Sequence, residues 1–205
     1  MMIEEVKNKL KNRDIRIMGI ESMSKYAVLI PLIEEEKGSL SILFEIRSRQ
    51  LRRQPGEISF PGGRIESTDL QYQDAAIRET SEELGIEKER IQIINQLDTY
   101  IPSPRTVIYP FVGSIRRPFH PNLNPDEVES IFTVPLHFFL QTEPEIYYIE
   151  LKIEPEEKFP FHHIPEGKNY PWRKGKIPKL FYYYEDKVIW GMTAQILHHF
   201  IQIIR

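Results

Sequence analysis

The run at residues 26–33, Tyr-Ala-Val-Leu-Ile-Pro-Leu-Ile, is apolar at nearly every position. A strand with one wet face alternates apolar and polar residues. A run without that alternation reads as a strand buried on both faces, so the chain must supply packing above and below it. Residues 39–46, Ser-Leu-Ser-Ile-Leu-Phe-Glu-Ile, form the next strand-like run. The Glu-Glu-Glu-Lys-Gly-Ser between them has turn composition, which predicts a hairpin.

Around this pair the pattern is mixed. Residues 2–12 read as a short amphipathic helix, with Ile3, Val6 and Leu10 at helical spacing, packed on the domain. Residues 47–69 are rich in Arg, Gly and Pro and read as a long loop, a type of segment that is usually functional. Residues 71–85 read as a helix ending at Gly85. Residues 91–98 and 106–115 read as strands joined by Ile-Pro-Ser-Pro-Arg. Residues 124–135 begin as a turn and lead into a short apolar helix near 136–140. Residues 145–153 and 180–185 read as further strands, and 190–204 as a closing helix. The 205 residues fit a single domain, with a core over about 25–140 plus the closing helix and a variable segment over 141–185.

The net charge of -3 lacks the basic surplus of a general nucleic-acid binder, so no nucleic-acid partner is expected. There is no cysteine, hence no disulfide framework and no thiolate chemistry. The first twenty residues are charged throughout and lack an apolar signal region. No run is long and apolar enough to span a bilayer, so no membrane is expected as a partner. The expectation is a soluble, cytoplasmic protein.

The chemistry is concentrated in Arg78-Glu79-Thr80-Ser81-Glu82-Glu83-Leu84-Gly85-Ile86. Each helical residue advances about 100°. Glu79, Glu82 and Glu83 stand at i, i+3 and i+4 and share one side of the helix, while Ile77, Thr80 and Leu84 face a core. Three carboxylates this close repel one another, and cations relieve that cost. Mg²⁺ and Mn²⁺ favour hard oxygen ligands, and Mg²⁺ often takes only one or two carboxylates together with substrate phosphates. Taken alone, the same spacing also describes an ordinary acidic surface helix. Upstream lies Phe60-Pro61-Gly62-Gly63, a glycine loop whose backbone can approach a ligand closely.

The glycine loop and the acidic helix together resemble the Nudix box, G-x5-E-x7-R-E-U-x-E-E-x-G-U, where U is a bulky apolar residue. Arg78, Glu79, Glu82, Glu83, Gly85 and Ile86 match, and Thr80 takes the first U position. Fourteen residues separate Gly63 from Arg78, one more than in the general box, and no glutamate stands at the expected offset. The nearest acid is Asp69, whose role the register leaves in doubt. Residues 43–63 are similar to the signature of the coenzyme A pyrophosphatase branch, L-L-T-x-R-[S/A]-x3-R-x3-G-x3-F-P-G-G. Arg47, Ser48, Arg52, Gly56, Phe60, Pro61, Gly62 and Gly63 fall in register, while Phe44 and Glu45 replace the usual Leu and Thr. The stretches Asn124–Val128, Val134–Leu136 and Ile189–Ala194 also resemble that branch.

The resemblance implies an α/β fold, the Nudix α/β/α sandwich with a mixed central sheet. It implies metal-dependent hydrolysis of a nucleoside diphosphate derivative, here coenzyme A or an acyl-coenzyme A, to 3′,5′-ADP and 4′-phosphopantetheine. By carry-over, Glu82 and Glu83 are the main ligands of Mg²⁺ or Mn²⁺. Glu79 binds metal or orients the attacking water, and the carbonyl of Gly62 completes the metal shell. Arg78 holds a neighbouring glutamate. The general base is a glutamate of the helix or, as the best remote candidate, Glu127. For the substrate, Arg47 and Arg52 are the favoured phosphate-binding arginines, ahead of Arg49 and Arg53, with Gly62 and Gly63 beside them. Two other readings stay open: a Nudix hydrolase of ADP-ribose, a dinucleoside polyphosphate or an oxidised nucleotide, and a non-catalytic nucleotide-binding Nudix domain.

The pairs His162-His163 and His198-His199 fit no common zinc spacing. Tyr182, Tyr183, Tyr184 and Trp172 read as core or interface rather than as a platform for a base. Residues 158–180 are a candidate lid or homodimer contact.

Overall fold

The computed structural model describes residues 2–35 and 38–205. A mixed sheet forms its centre. Strands β1 (Ser24–Glu34) and β2 (Leu40–Arg47) are antiparallel, as the expected hairpin requires, with Leu32 opposite Ile42. Glu36 and Lys37, part of the expected turn, lie outside the described residues. The sheet order is β3–β2–β1–β7–β5, where β3 is Ile58–Ser59, β5 is Ile91–Gln96 and β7 is Thr106–Ile115. Three further strands attach to it. β4 (Gly62–Arg64) pairs with β1, β6 (Tyr100–Ser103) with β7, and β8 (Val128–Pro135) with β2. β1 and β7 run parallel from Ser24 opposite Thr106 to Leu32 opposite Ser114.

β1 is buried on both faces, and its side chains sort by the two-residue period of a strand. Ala27, Leu29 and Ile33 join a cluster with Ala75, Ala76 and Leu84 of helix α2 (Tyr72–Leu84). Ile30 and Leu32 join a second cluster, on the other face, with Leu197, Phe200 and Ile201 of helix α4 (Gly191–Ile204). A mixed sheet between helices is the sandwich expected from the resemblance.

Several sequence-based boundaries need correction. Residues 47–69 are not all loop, because β3 and β4 lie inside them. Residues 128–135 are strand β8 rather than part of a turn. The turn signal of Asn124-Pro125-Asp126 ends there, and Ile131, Phe132 and Val134 pair along β2. The Ile-Pro-Ser-Pro-Arg connection contributes β6. Helix α3 is Leu136–Gln141, as expected. Strand β9 (Glu145–Leu151) is followed by β10, which starts earlier than expected, at Gly175, and runs to Tyr184; β11 (Lys187–Trp190) was not anticipated. These three strands form a second, antiparallel sheet. Leu180, Tyr182 and Ile189 of that sheet sit in the α4-side core, so part of the 141–185 segment is core material. Helix α1 (Ile3–Leu10) buries no residue, and Ile3 and Leu10 are exposed. Its apolar spacing marks a face for packing, but among the described residues Ile3 and Leu10 stay exposed and only Val6 is partly covered, so the expected packing on the domain is not seen.

No helix is long and apolar enough to cross a membrane among the described residues.

Candidate active site

Helix α2 presses on the sheet through small residues. Ala75, Ala76, Thr80 and Leu84 are buried. The Thr80 hydroxyl, at a position where an apolar side chain is usual, donates to the Ala76 carbonyl at 2.6 Å and so needs no other partner. The three glutamates share one side of the helix but lie at different depths. The Glu82 side chain is 54% exposed and that of Glu79 16%. Glu83 is 4% exposed as a residue.

The glycine loop receives the two deeper carboxylates. Gly62 donates its backbone N–H to Glu83 Oε2 at 2.9 Å. It stands at φ 150°, and a β-carbon there would meet Val28 Cα at 2.6 Å. Gly63 carries the Glu79 carboxylate directly on its α-carbon, in the space a β-carbon would fill. The paired glycines therefore let β4 lie against both β1 and the acidic helix.

Arg78 organises the outer part. Its Nε and Nη2 donate to the two oxygens of Asp69 at 3.1 and 3.0 Å, its Nη1 donates to Glu79 Oε1 at 2.8 Å, and its Nη2 also reaches the Arg64 carbonyl at 3.1 Å. Glu82 lies at the edge of this network, 3.5 Å from Nη1. Asp69, left without a role by the register, is the bidentate partner that fixes Arg78. The Arg78 hydrogen bonds hold the Asp69 carboxyl below its ordinary range, and Asp69 in turn pins Arg78 in its charged form.

The loop carrying Glu127 docks on the C-terminal end of α2. Asn122 and Asn124 donate their backbone N–H groups to the carbonyls of Leu84 and Glu83, each at 3.0 Å. Asn124 Nδ2 then donates to Glu127 Oε2 at 3.1 Å, and Ser48 N–H donates to the Glu127 carbonyl at 2.8 Å. Glu127, remote in sequence, thus reaches the same group of carboxylates.

Sequence reasoning missed Glu45. It is fully buried on β2, accepts a hydrogen bond from Ser59 at 2.8 Å and lies 3.9 Å from Arg47. Burial pushes its carboxyl up to about 7, with the charges of Glu127 and Glu79 adding to the effect. Burial, then the charge of Glu45, raises Glu83 well above the carboxylate range. Glu79 is raised by burial against the lowering pull of Arg78, with Glu82 and Glu127 adding to the rise. The available signal was a charged residue inside the apolar run of β2, since a buried polar residue is the informative exception in a core.

This crowd of hard oxygen donors on a glycine-backed helix suits a divalent cation. Among the described residues no group of three or more acidic or histidine side chains gathers tightly enough to cage one without help. Substrate oxygens and water would have to complete the shell.

The NUDIX domain model matches residues 23–152. The chain belongs to the Nudix family. It is 34% identical over 149 residues to the peroxisomal coenzyme A diphosphatase NUDT7 of Mus musculus, covering 72% of this chain and 61% of that protein. The chain thus spans about three fifths of that relative's length. It is 31% identical over 180 residues to the uncharacterized Nudix hydrolase NudL of Photorhabdus laumondii, covering 87% and 84% of the two chains. The crystal structure of a MutT/nudix family protein from Enterococcus faecalis superposes with a TM-score of 0.50 at 15% identity, covering all of this chain and 70% of that one. That likeness concerns the fold.

On the α4 side of the sheet opens a cleft of about 560 Å³ whose lining includes no residue of α2 and meets the acidic helix only through the glycine pair. Gly62 and Gly63 form part of its floor, Arg47, Arg53 and Lys179 supply positive charge, and Trp190 and Met192 supply apolar surface. Thr193 ties α4 to this wall by donating to the Ile58 carbonyl at 3.0 Å. Of the arginines favoured from the sequence, Arg47 lines the cleft, whereas Arg52 is exposed outside its lining. Arg53, placed second by sequence, is in it, and Arg49 pairs with Glu129 at 3.1 Å. Lys179 carried no signal, because it lies in the segment without a recognisable motif. A separate depression of about 640 Å³ between α2 and β5 holds none of the candidate site residues.

The histidines do other work. His198 pairs with the Tyr182 hydroxyl at 2.9 Å and His199 with Asp98 at 2.8 Å. Tyr182 is core, edge-on to Phe139, and Trp172 packs against Phe159 and Tyr170.

Proposed function

We propose that this chain is a divalent-metal-dependent Nudix pyrophosphohydrolase whose substrate is coenzyme A or an acyl-coenzyme A. One observation carries the reading. Two carboxylates of α2, Glu79 and Glu83, are seated on the paired glycines that floor a cleft bearing Arg47, Arg53 and Lys179. The glycine pair stands between a place for cations on α2 and a cleft with positive charge for several phosphates, and coenzyme A offers a pyrophosphate and a further 3′-phosphate. The signature of residues 43–63 and the similarity to a coenzyme A diphosphatase support the choice of substrate.

In the proposed reaction a water oxygen attacks one phosphorus of the pyrophosphate in line. The bond from that phosphorus to the bridging oxygen breaks, and the leaving phosphate keeps the electron pair. The products are 3′,5′-ADP and 4′-phosphopantetheine. Mg²⁺ or Mn²⁺ bound by Glu82, Glu83 and the Gly62 carbonyl would neutralise phosphate charge and make the water more acidic. The chain's own side chains do the rest. Arg78, fixed by Asp69, sets the direction of Glu79. In this reading Glu79 or Glu127 takes the proton from water. Arg47 and Arg53 hold phosphate oxygens, and Trp190 and Met192 give apolar surface to the base or the pantetheine arm.

The same reading includes a homodimer. β9 lies at an edge of the small sheet with Ile146, Tyr148 and Leu151 exposed, and an apolar edge strand of this kind is normally covered. Sedimentation at micromolar concentration checks this, and a purely monomeric protein would remove this part.

The function is tested by product analysis with Mg²⁺ or Mn²⁺ and coenzyme A, acetyl-coenzyme A, ADP-ribose, NADH and diadenosine polyphosphates. Release of 3′,5′-ADP from the coenzyme A compounds alone is expected. Cleavage only of other members would keep the chemistry and replace the substrate. Binding without any turnover would make the chain a nucleotide-binding Nudix domain.

A further inference from the structure

Glu45 has a face and a neighbour that the family pattern does not account for. Leu43, two positions earlier on β2, packs in the α2-side cluster, whereas Ile42 and Phe44 pack on the α4 side. By the period of the strand, Glu45 faces α2. Directly across the ladder stands Ser59, whose hydroxyl donates to Glu45 Oε1. Glu45 Oε2 is buried and has no hydrogen-bond partner among the described residues, and the same is true of Arg47 Nε. A buried carboxylate oxygen without a partner is costly, and the threonine usual at this position would not incur that cost. Among the charges around Glu83, that of Glu45 acts on it most strongly.

From this geometry we infer that Glu45 is a ligand of a divalent cation shared with Glu83, held between β2 and α2. The inference rests on the reading of α2 as a metal-binding helix and extends the site to a second element. A cation there satisfies the unpartnered oxygen and removes the repulsion between two buried carboxylates in one step. Two carboxylates plus substrate oxygens is also an ordinary protein share of a Mg²⁺ or Mn²⁺ shell.

The test is direct Mn²⁺ binding, with free Mn²⁺ followed by electron paramagnetic resonance, on the wild type and on Glu45→Gln, Glu45→Thr and Glu83→Gln. Melting temperatures are recorded in EDTA and in Mn²⁺. Glu45→Gln and Glu45→Thr should each weaken a Mn²⁺ site by about tenfold or more. Both should also melt higher than wild type in EDTA and gain less from Mn²⁺. The threonine variant guards against misfolding, since its hydroxyl can still meet Ser59. Unchanged Mn²⁺ binding in both Glu45 variants, with loss in Glu83→Gln, would overturn the role of Glu45 and leave α2 as the metal helix. Unchanged binding in all three would overturn both readings.

Discussion

Glu83 Oε2 accepts the backbone N–H of Gly62 at 2.9 Å, joining the acidic helix to the glycine loop at the point where both are buried. A glutamine at position 83 can present its own oxygen to that N–H, so Glu83→Gln should keep the fold and lose the charge. Turnover at saturating Mg²⁺ should fall on the order of a hundredfold or more, because metal-assisted charge neutralisation is worth several kcal/mol. The melting temperature in EDTA should stay at or above the wild-type value. Near-normal turnover would show that α2 is not the catalytic helix.

Asp69 acts at a distance from the chemistry. Asp69→Asn breaks the bidentate grip on Arg78 and frees that guanidinium to swing away from Glu79. Losing a group that orients a metal-site residue typically costs about 10- to 100-fold in metal affinity or activity. A steady-state titration of Mg²⁺ should show the change, and an unaltered activation curve would leave Asp69 with a purely structural part.

Stability of the metal-free protein should depend on pH in a specific direction. Glu45 is ordinarily near 4.5 and is pushed up to about 7 in the folded protein. Between those values the folded chain holds a proton that the unfolded chain has released, so stability falls as pH rises and levels off above about 7. Glu83 adds in the same direction. Asp69 acts oppositely and lower, since its depressed carboxyl gives stability that is lost as pH falls below its ordinary 3.8. Thermal melts in EDTA from pH 5 to 8 should show the decline, and Glu45→Gln should flatten it. A flat wild-type profile would contradict the arrangement of these carboxylates.

The arginines separate by position. Arg53→Ala should raise KM for coenzyme A by about tenfold or more, as expected for one charge-assisted hydrogen bond of roughly 1.5–3 kcal/mol. Arg52→Ala should leave KM within a factor of about two, because Arg52 does not line the cleft although it is as exposed as Arg53. Equal effects on KM would mean that the loop rearranges when substrate binds.

The core of this chain was legible wherever the information is local in the sequence. The unbroken apolar run of β1 stated that both its faces are covered, and the structure covers them with α2 and α4. The spacing of Glu79, Glu82 and Glu83 placed three carboxylates on one side of one helix, because helical geometry alone relates residues three and four apart. The glycines ahead of that helix were legible for a similar reason, since few other residues can approach a neighbour so closely. Strand β8 was not, because a turn signal stood directly before it and its partner β2 lies far back in the sequence.

What only the tertiary structure decided is non-local. Depth along the acidic helix depends on what packs over it, which is why Glu83 is buried and Glu82 is not. Which of Arg52 and Arg53 lines the cleft turns on the direction of neighbouring side chains in an irregular loop, for which sequence spacing has no period to offer. Asp69 meets Arg78, and Glu45 turns to the α2 side of the sheet where its charge acts on Glu83, through the register of strands and the docking of a helix on a sheet. Hydrophobic period and residue spacing determined the doubly buried strand and the acidic helix, the resemblance of the two motifs supplied the sandwich, and the pairing of charges across elements required the packed chain.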